Sequence, residues 1–280
     1  MERIIALLTD FGPRGQHYVA AMKGVILKIN PLANIIDISH KISPFSVIEA
    51  SYILKTTYIH FPKNTVFITV VDPGVGSARE LIALKTNSDY YFIGPNNGIF
   101  PNVFDKSEIS ECVNIQNEDY FNHPVSSTFH GRDIMAPIGA YITKFENFPL
   151  SELGSNFKFN NLIKFPLVYE INLEENSIKS TIQYVDSFGN GTTSIPMAGN
   201  KIMNTDLNLE DDSKISFTIK EKNYEAIFTS HFASMPIDSL LFIIGSTGYL
   251  EISINQGNAS KILNFKAGDI ITINIEERKI

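Results

Sequence analysis

FITVVDPGVGSARE, residues 67–80, contains the transition on which the fold turns. Phe67 to Val71 is an unbroken apolar run with no polar alternation, the pattern of a strand buried on both faces. Strands of that kind lie inside sheets covered by helices on each side. The run stops at Asp72, turns on Pro73, Gly74 and Gly76, and reaches a guanidinium at Arg79. Ligands of open α/β sheets sit at the carboxyl ends of the strands. A carboxylate there, with a cation seven residues on, is a candidate site pair; on spacing alone it reads equally as an ion pair bracing a tight turn.

Outward from this stretch the first half alternates strand and helix signals. Ile4 to Leu8 is apolar and ends in the turn Thr9-Asp10-Phe11-Gly12. Tyr18, Val19, Met22, Val25, Ile26 and Ile29 recur at helical spacing until Asn30-Pro31 ends the pattern. Strands follow at 34–38, 81–85 and 90–93, and helices at 47–56 and 134–145. This order predicts an α/β domain over 1–155, a mostly parallel sheet with flanking helices. The stretch 148–166 is rich in Asn, Ser, Gly and Pro, and 156–165 reads as a linker. Beyond it, short runs at 167–173, 177–185, 214–219, 222–228, 240–244, 250–254 and 269–275 predict a smaller all-β, barrel-like domain over 166–280.

Composition narrows the function classes. Of 280 residues 44% are hydrophobic and 19% charged, an ordinary globular profile, and the net charge of −7 comes without a basic run. Nucleic-acid binding needs clustered cations and is not expected. The single cysteine, Cys112, rules out a disulfide framework. MERIIALLTD is too short an apolar segment for a signal peptide, and no window reaches the roughly 18 apolar residues of a membrane span. The chain is expected to be cytoplasmic, without a membrane partner.

Further polar groups gather at predicted loop positions. Asp10 follows the first strand, and Asn96 and Asn97 follow the strand at 90–93. Among six histidines, His130 in SSTFHGRDI stands beside a glycine at the start of a helix, with Asp133 a candidate N-cap; His40 in DISHKISP reads as either structural or functional. No histidine pair has metal-ligand spacing, so no metal is expected. The G-x-G at 74–76 lacks the third glycine of a dinucleotide loop. In the second half, Asp186, Phe188 and Asn190 fall within YVDSFGN, and Ser246, Glu251 and Asn255 within GSTGYLEISINQGNA. They read as turn chemistry or as edge contacts to a planar ring.

Taken together, TDFG (9–12), DISHKI (37–42), VVDPGVGSAR (70–79), GPNNG (94–98), STFHGRD (127–133), YVDSFGN (184–190) and 245–259 resemble the S-adenosylmethionine hydroxide adenosyltransferases. These adenosine-forming hydrolases are related to fluorinases and chlorinases. The resemblance implies hydrolysis of S-adenosylmethionine to adenosine and L-methionine by attack of water at the 5′ carbon. It implies that Asp72, Arg79 and His130 are catalytic, with His130 able to accept a proton. It places Asp10 on the ribose hydroxyls, Asp186 on the methionine ammonium, Phe188 and Asn190 on the adenine, and Ser246 and Glu251 on the remaining polar edges. It also implies no cofactor beyond the substrate, and a homotrimer with sites at subunit interfaces. Halogenases carry Tyr and Ser in place of Asp72 and Gly131, and an insertion after the first of these motifs, so a halide-using enzyme is the weaker alternative. A non-catalytic adenosine or S-adenosylmethionine sensor is the other. Two departures bear on substrate binding: GPRGQHYV lacks the acidic residue often found before the Tyr, and Asn96 stands where Asp is more usual.

Overall fold

A computed structural model describes residues 3–172 and 174–274. The chain divides into two compact units between Pro166 and Leu167. In the first, β1 (Ile4–Thr9), α1 (Gln16–Ile29), β2 (Asn34–Ser39), α2 (Val47–Thr57), β3 (Val66–Val70), β4 (Leu81–Thr86), β5 (Tyr91–Pro95), α3 (Ile99–Val103), β6 (Ile109–Ile115), α4 (Ala136–Lys144) and β7 (Gly154–Asn156) follow in order. The seven strands form one sheet, β2-β1-β3-β5-β4-β6-β7. The pairings β1–β2, β1–β3 and β3–β5 are parallel, so the expected parallel sheet is its first four strands. The remaining strands add antiparallel, β4 because its short link to β5 permits only a hairpin.

Alternation along β1 and β3 sorts side chains onto two cores. Ile5, Leu7, Val66, Ile68 and Val70 pack with α1 and α4, while Ala6, Leu8, Phe67 and Val71 pack with α2 and α3. All five residues of β3 are buried, which explains its unbroken apolar run. Ser46 caps α2 by accepting from Glu49 N–H, and the Glu49 carboxylate returns to the backbone and hydroxyl of Ser43. α4 lies close on the sheet at Gly139, where a Cβ would stand 2.6 Å from Ile68 Cδ1. That contact fixes the position of the chain entering α4.

The expected helix over 134–145 begins differently. Residues Gly131–Met135 form a π-helical turn before α4. Pro137 has no N–H for the Asp133 carbonyl, which instead accepts from Asn122 N–H at 2.8 Å. Asp133 is not an N-cap. Its buried carboxylate turns back to accept from Ser126 N–H, Asn122 Nδ2 and the Arg132 guanidinium.

In the second unit, β8 (Tyr169–Asn172), β9 (Ser177–Val185), β10 (Gly191–Ala198), β11 (Lys201–Ile202), β12 (Lys214–Ile219), β13 (Lys222–Phe228), β14 (Leu240–Ile244), β15 (Tyr249–Ile254) and β16 (Ile270–Asn274) surround one core, with a short α5 (Ala259–Leu263) before β16. Pairing of β9 with β10 closes β9-β10-β15-β14-β13-β12-β16 into a barrel, with β8 and β11 appended. Residues 173 and 275, the last positions of two expected strands, lie outside the described residues. β10 was hidden in the sequence by GTTSIP, a polar run with a proline. Its Thr192, Thr193 and Ser194 are buried yet bonded: Thr193 donates to Leu250 O, and Ser194 donates to Val168 O. No helix among the described residues is long and apolar enough to cross a membrane.

Candidate active site

The parallel register sets Thr9 of β1 beside Val70 of β3, so Asp10 and Asp72 leave the sheet at the same edge. From Asp72 the chain makes two successive turns, Val75 N–H to Asp72 O and Ser77 N–H to Gly74 O, and returns with Arg79. Arg79 meets the Asp72 carboxylate with both arms of its fork, Nε to Oδ1 at 2.6 Å and Nη2 to Oδ2. The two side chains are only 8% and 4% exposed, so each charge depends on the other.

The third group arrives from a distant segment. Gly76 has φ +79° and passes so close to the 127–130 loop that a Cβ would stand 2.4 Å from Ser127 O. On the other side of that loop, Gly131 packs on Val70, where a Cβ would be 3.0 Å from Cγ1. Between these contacts, His130 Nδ1 lies 3.2 Å from Arg79 Nη2. A guanidinium only donates, so Nδ1 accepts and the neutral ring carries its proton on Nε2. Burial, and then the Arg79 charge, hold the His130 pKa below its ordinary 6.5 against the opposing pull of Asp72 and Asp133. The ring is uncharged at neutral pH.

A cavity of about 280 Å³ opens here, lined by Asp10, Phe11, Tyr18, Phe45, Asp72, Phe129 and His130 among others. That is near the lower end of small-molecule sites, roughly 300–1,000 Å³. Phe11, Tyr18 and Phe129 pack edge-on or tilted, with ring centroids 5.2 to 5.8 Å apart. Asp10 Oδ2 accepts from Phe45 N–H at 2.8 Å. Burial raises the Asp10 pKa; the Phe45 N–H counteracts it, and the Asp72 charge adds to the rise. The aromatic walls were not singled out in the sequence; Phe11 and Phe129 stand inside the TDFG and STFHGRD motifs, and that was the available signal.

The asparagines of GPNNG do not face this cavity. Asn96 Nδ2 donates to Glu80, its Oδ1 accepts from Ile163 N–H, and Asn97 Nδ2 donates to Val71 O. They tie loops together.

In the second unit the 186–190 turn closes on itself. Asp186 Oδ1 accepts from the N–H groups of Phe188 and Asn190, and Oδ2 accepts from Asn190 Nδ2. This leaves the Phe188 ring 73% exposed. Glu251, mid-strand in β15, accepts from Thr192 Oγ1 at 2.9 Å; burial, with the Asp186 charge adding, raises its pKa. Ser246 is exposed in the turn between β14 and β15. β10 runs from Gly191 opposite Ile252 to Pro196 opposite Tyr249, so that turn lies at the end of β10 away from Asp186. Asn255 is buried and donates to Met235 O.

Two family models cover most of the chain. The model of the SAM hydroxide adenosyltransferase N-terminal domain matches residues 5–154, and that of the C-terminal domain matches 180–272. A protein of Methanocaldococcus jannaschii named (R)-S-adenosyl-L-methionine hydrolase is 36% identical, covering 96% of this chain and 95% of that protein. A fluorinase of an Actinoplanes species is 26% identical over 96% of this chain and 97% of its own. The crystal structure of a conserved protein from Thermotoga maritima superposes with a TM-score of 0.85 at 35% identity, covering 97% of this chain and all of that one.

Proposed function

Since the chain belongs to the SAM hydroxide adenosyltransferase family, we propose that it hydrolyses S-adenosylmethionine to adenosine and L-methionine at the Asp72–Arg79–His130 cluster. The water oxygen bonds to the 5′ carbon as the carbon–sulfur bond breaks, and the electron pair of that bond stays on the methionine sulfur. One proton is released. A sulfonium leaves as a neutral thioether, so no acid is required. The work of the site is to hold and polarise water in line with the breaking bond.

One observation carries the assignment of roles: Arg79 donates both to Asp72 and to His130 Nδ1. The lone pairs left on the Asp72 carboxylate are the acceptor for a water proton, and His130 offers an Nε2–H to the oxygen. This departs from a His130 that takes the proton, because its only lone pair already faces Arg79. Asp10 holds the ribose hydroxyls. Asp186, Phe188, Asn190, Ser246 and Glu251 contribute from the second unit, in a homotrimer whose sites are completed by a neighbouring subunit. No cofactor takes part. The preferred substrate is the (R)-sulfonium epimer, after the name of the archaeal relative. A negative Asp72 also disfavours a halide as nucleophile.

Incubation with each sulfonium epimer, in chloride-containing and chloride-free buffer, tests the reading. Adenosine and methionine should appear from the (R) epimer in both buffers. A 5′-chloronucleoside as main product would replace hydrolysis with halogenation, and no turnover of either epimer would reduce the protein to a binder. Light scattering of the purified protein checks the trimer.

A further inference from the structure

His40, buried at the end of β2, takes part in none of the contacts described above, yet it grips both sides of the turn that carries Asp10. Its carbonyl accepts from Gly12 N–H at 2.7 Å. Its Nδ1 lies 3.0 Å from Thr9 Oγ1, and that oxygen accepts from Phe11 N–H at 3.4 Å. On the other side of the ring, Nε2 stands 3.1 Å from Asp37 Oδ1, while Asp37 Oδ2 takes Lys23 Nζ at 2.6 Å.

The donors and acceptors fit one arrangement. Lys23 donates to Asp37, His40 Nε2 stands at ion-pair distance from the same carboxylate without hydrogen-bond geometry, and the Thr9 hydroxyl donates to Nδ1. The Thr9 oxygen is then free to take Phe11 N–H. Asp10 sits between the two residues held, Thr9 and Phe11. Thr9 is fully buried and His40 is 8% exposed, so water does not compete for the His40–Thr9 bond, whereas Asp37 is 40% exposed.

We propose that His40 is a positioning residue for Asp10: the Asp37–His40–Thr9 chain sets the 9–12 turn so that the Asp10 carboxylate meets the nucleoside. The proposal rests on the reading of Asp10 as a nucleoside contact. It predicts an effect on binding that vanishes when Asp10 is gone.

The test is a double-mutant cycle read by KM and kcat for S-adenosylmethionine, with thermal midpoints alongside. His40→Phe keeps the ring shape without its nitrogens, and Thr9→Val removes only the hydroxyl. Each should raise KM about tenfold with kcat within about threefold, and combining them should add little because both cut the same bond. Placed on Asp10→Ala, His40→Phe should raise KM no further. A full additional rise on that background overturns the proposal, as does an unchanged KM in both single variants while Asp10→Ala raises it. If Asp10→Ala itself leaves KM unchanged, the nucleoside reading of Asp10 fails and takes the proposal with it. Should His40→Phe not fold, Thr9→Val decides the question.

Discussion

Two turns in this molecule begin with an aspartate at the end of a strand, and they satisfy it in opposite ways. Asp186 meets no cation among the described residues; its oxygens are filled by donors of its own loop, two backbone N–H groups and the Asn190 amide. Asp72 is matched by a full positive charge, and that charge reaches on to His130, 51 residues away. The first is a self-contained turn that presents a ring and a carboxylate. The second is a junction between two loops, whose geometry exists only while both loops stay in place. In the proposed reading the first supplies binding contacts, which can be built locally, and the second polarises water, which needs charges held by groups that cannot relax.

The largest expected effect comes from breaking the junction at its charge. Asp72→Ala leaves the buried Arg79 without its counter-charge, which should cost about 3–5 kcal/mol of stability, whereas Asp186→Ala should cost about 1 kcal/mol. Denaturant melts of the two variants compare them directly. Equal losses would mean that the Asp72–Arg79 pair is no more than turn chemistry.

Next comes the approach of the two loops. Gly76→Ala places a methyl against Ser127 O at a positive φ, and should cost more than about 1 kcal/mol while lowering kcat roughly tenfold or more. Asn190→Ala, by contrast, should raise KM with little change in kcat, by about 1–3 kcal/mol of binding. Steady-state kinetics of both variants separate the junction from the turn.

The smallest effect is in pH. His130 has a folded-state pKa below 6.5, so the unfolded chain binds its proton first as pH falls. Stability from this group is therefore complete above 6.5 and declines as pH drops below it. Protonation also fills Nδ1 and ends its contact with Arg79, so kcat should be flat above 6.5 and fall on a limb below it. His130→Gln should lose that limb. If the limb survives, another group is titrating; Asp10, whose pKa is raised, is the one to examine.

Several features are legible in the sequence itself. β3 showed itself by five apolar residues in a row, and α1 by buried Val19, Met22, Val25 and Ile26 at helical spacing. The self-closing 186–190 turn is written in Asp186, Gly189 and Asn190. These are short-range effects, decided by residues that touch along the chain. Other elements were not legible for a shared reason. β10 looks polar because Thr192, Thr193 and Ser194 find their partners on other strands. β6 looks polar because its first half, with Ser110 and Glu111, is exposed, while Cys112 packs into one core and Val113 and Ile115 into the other. His40 could not be assigned until Thr9 and Asp37 stood on either side of it.

The sequence by itself determined a carboxylate at the mouth of a buried strand, a guanidinium within reach of it, and a histidine at the entrance to a helix. Only the tertiary structure decided that the three form one site, which nitrogen of His130 holds the proton, and that Asp133 braces the loop rather than capping the helix. The reason is packing. Gly139 lets α4 settle on Ile68, Gly131 lets the helix entrance meet Val70, and Gly76 lets the Asp72 loop touch Ser127. Each glycine is permissive only because of an atom far away in the chain, and no local pattern reports where that atom will be.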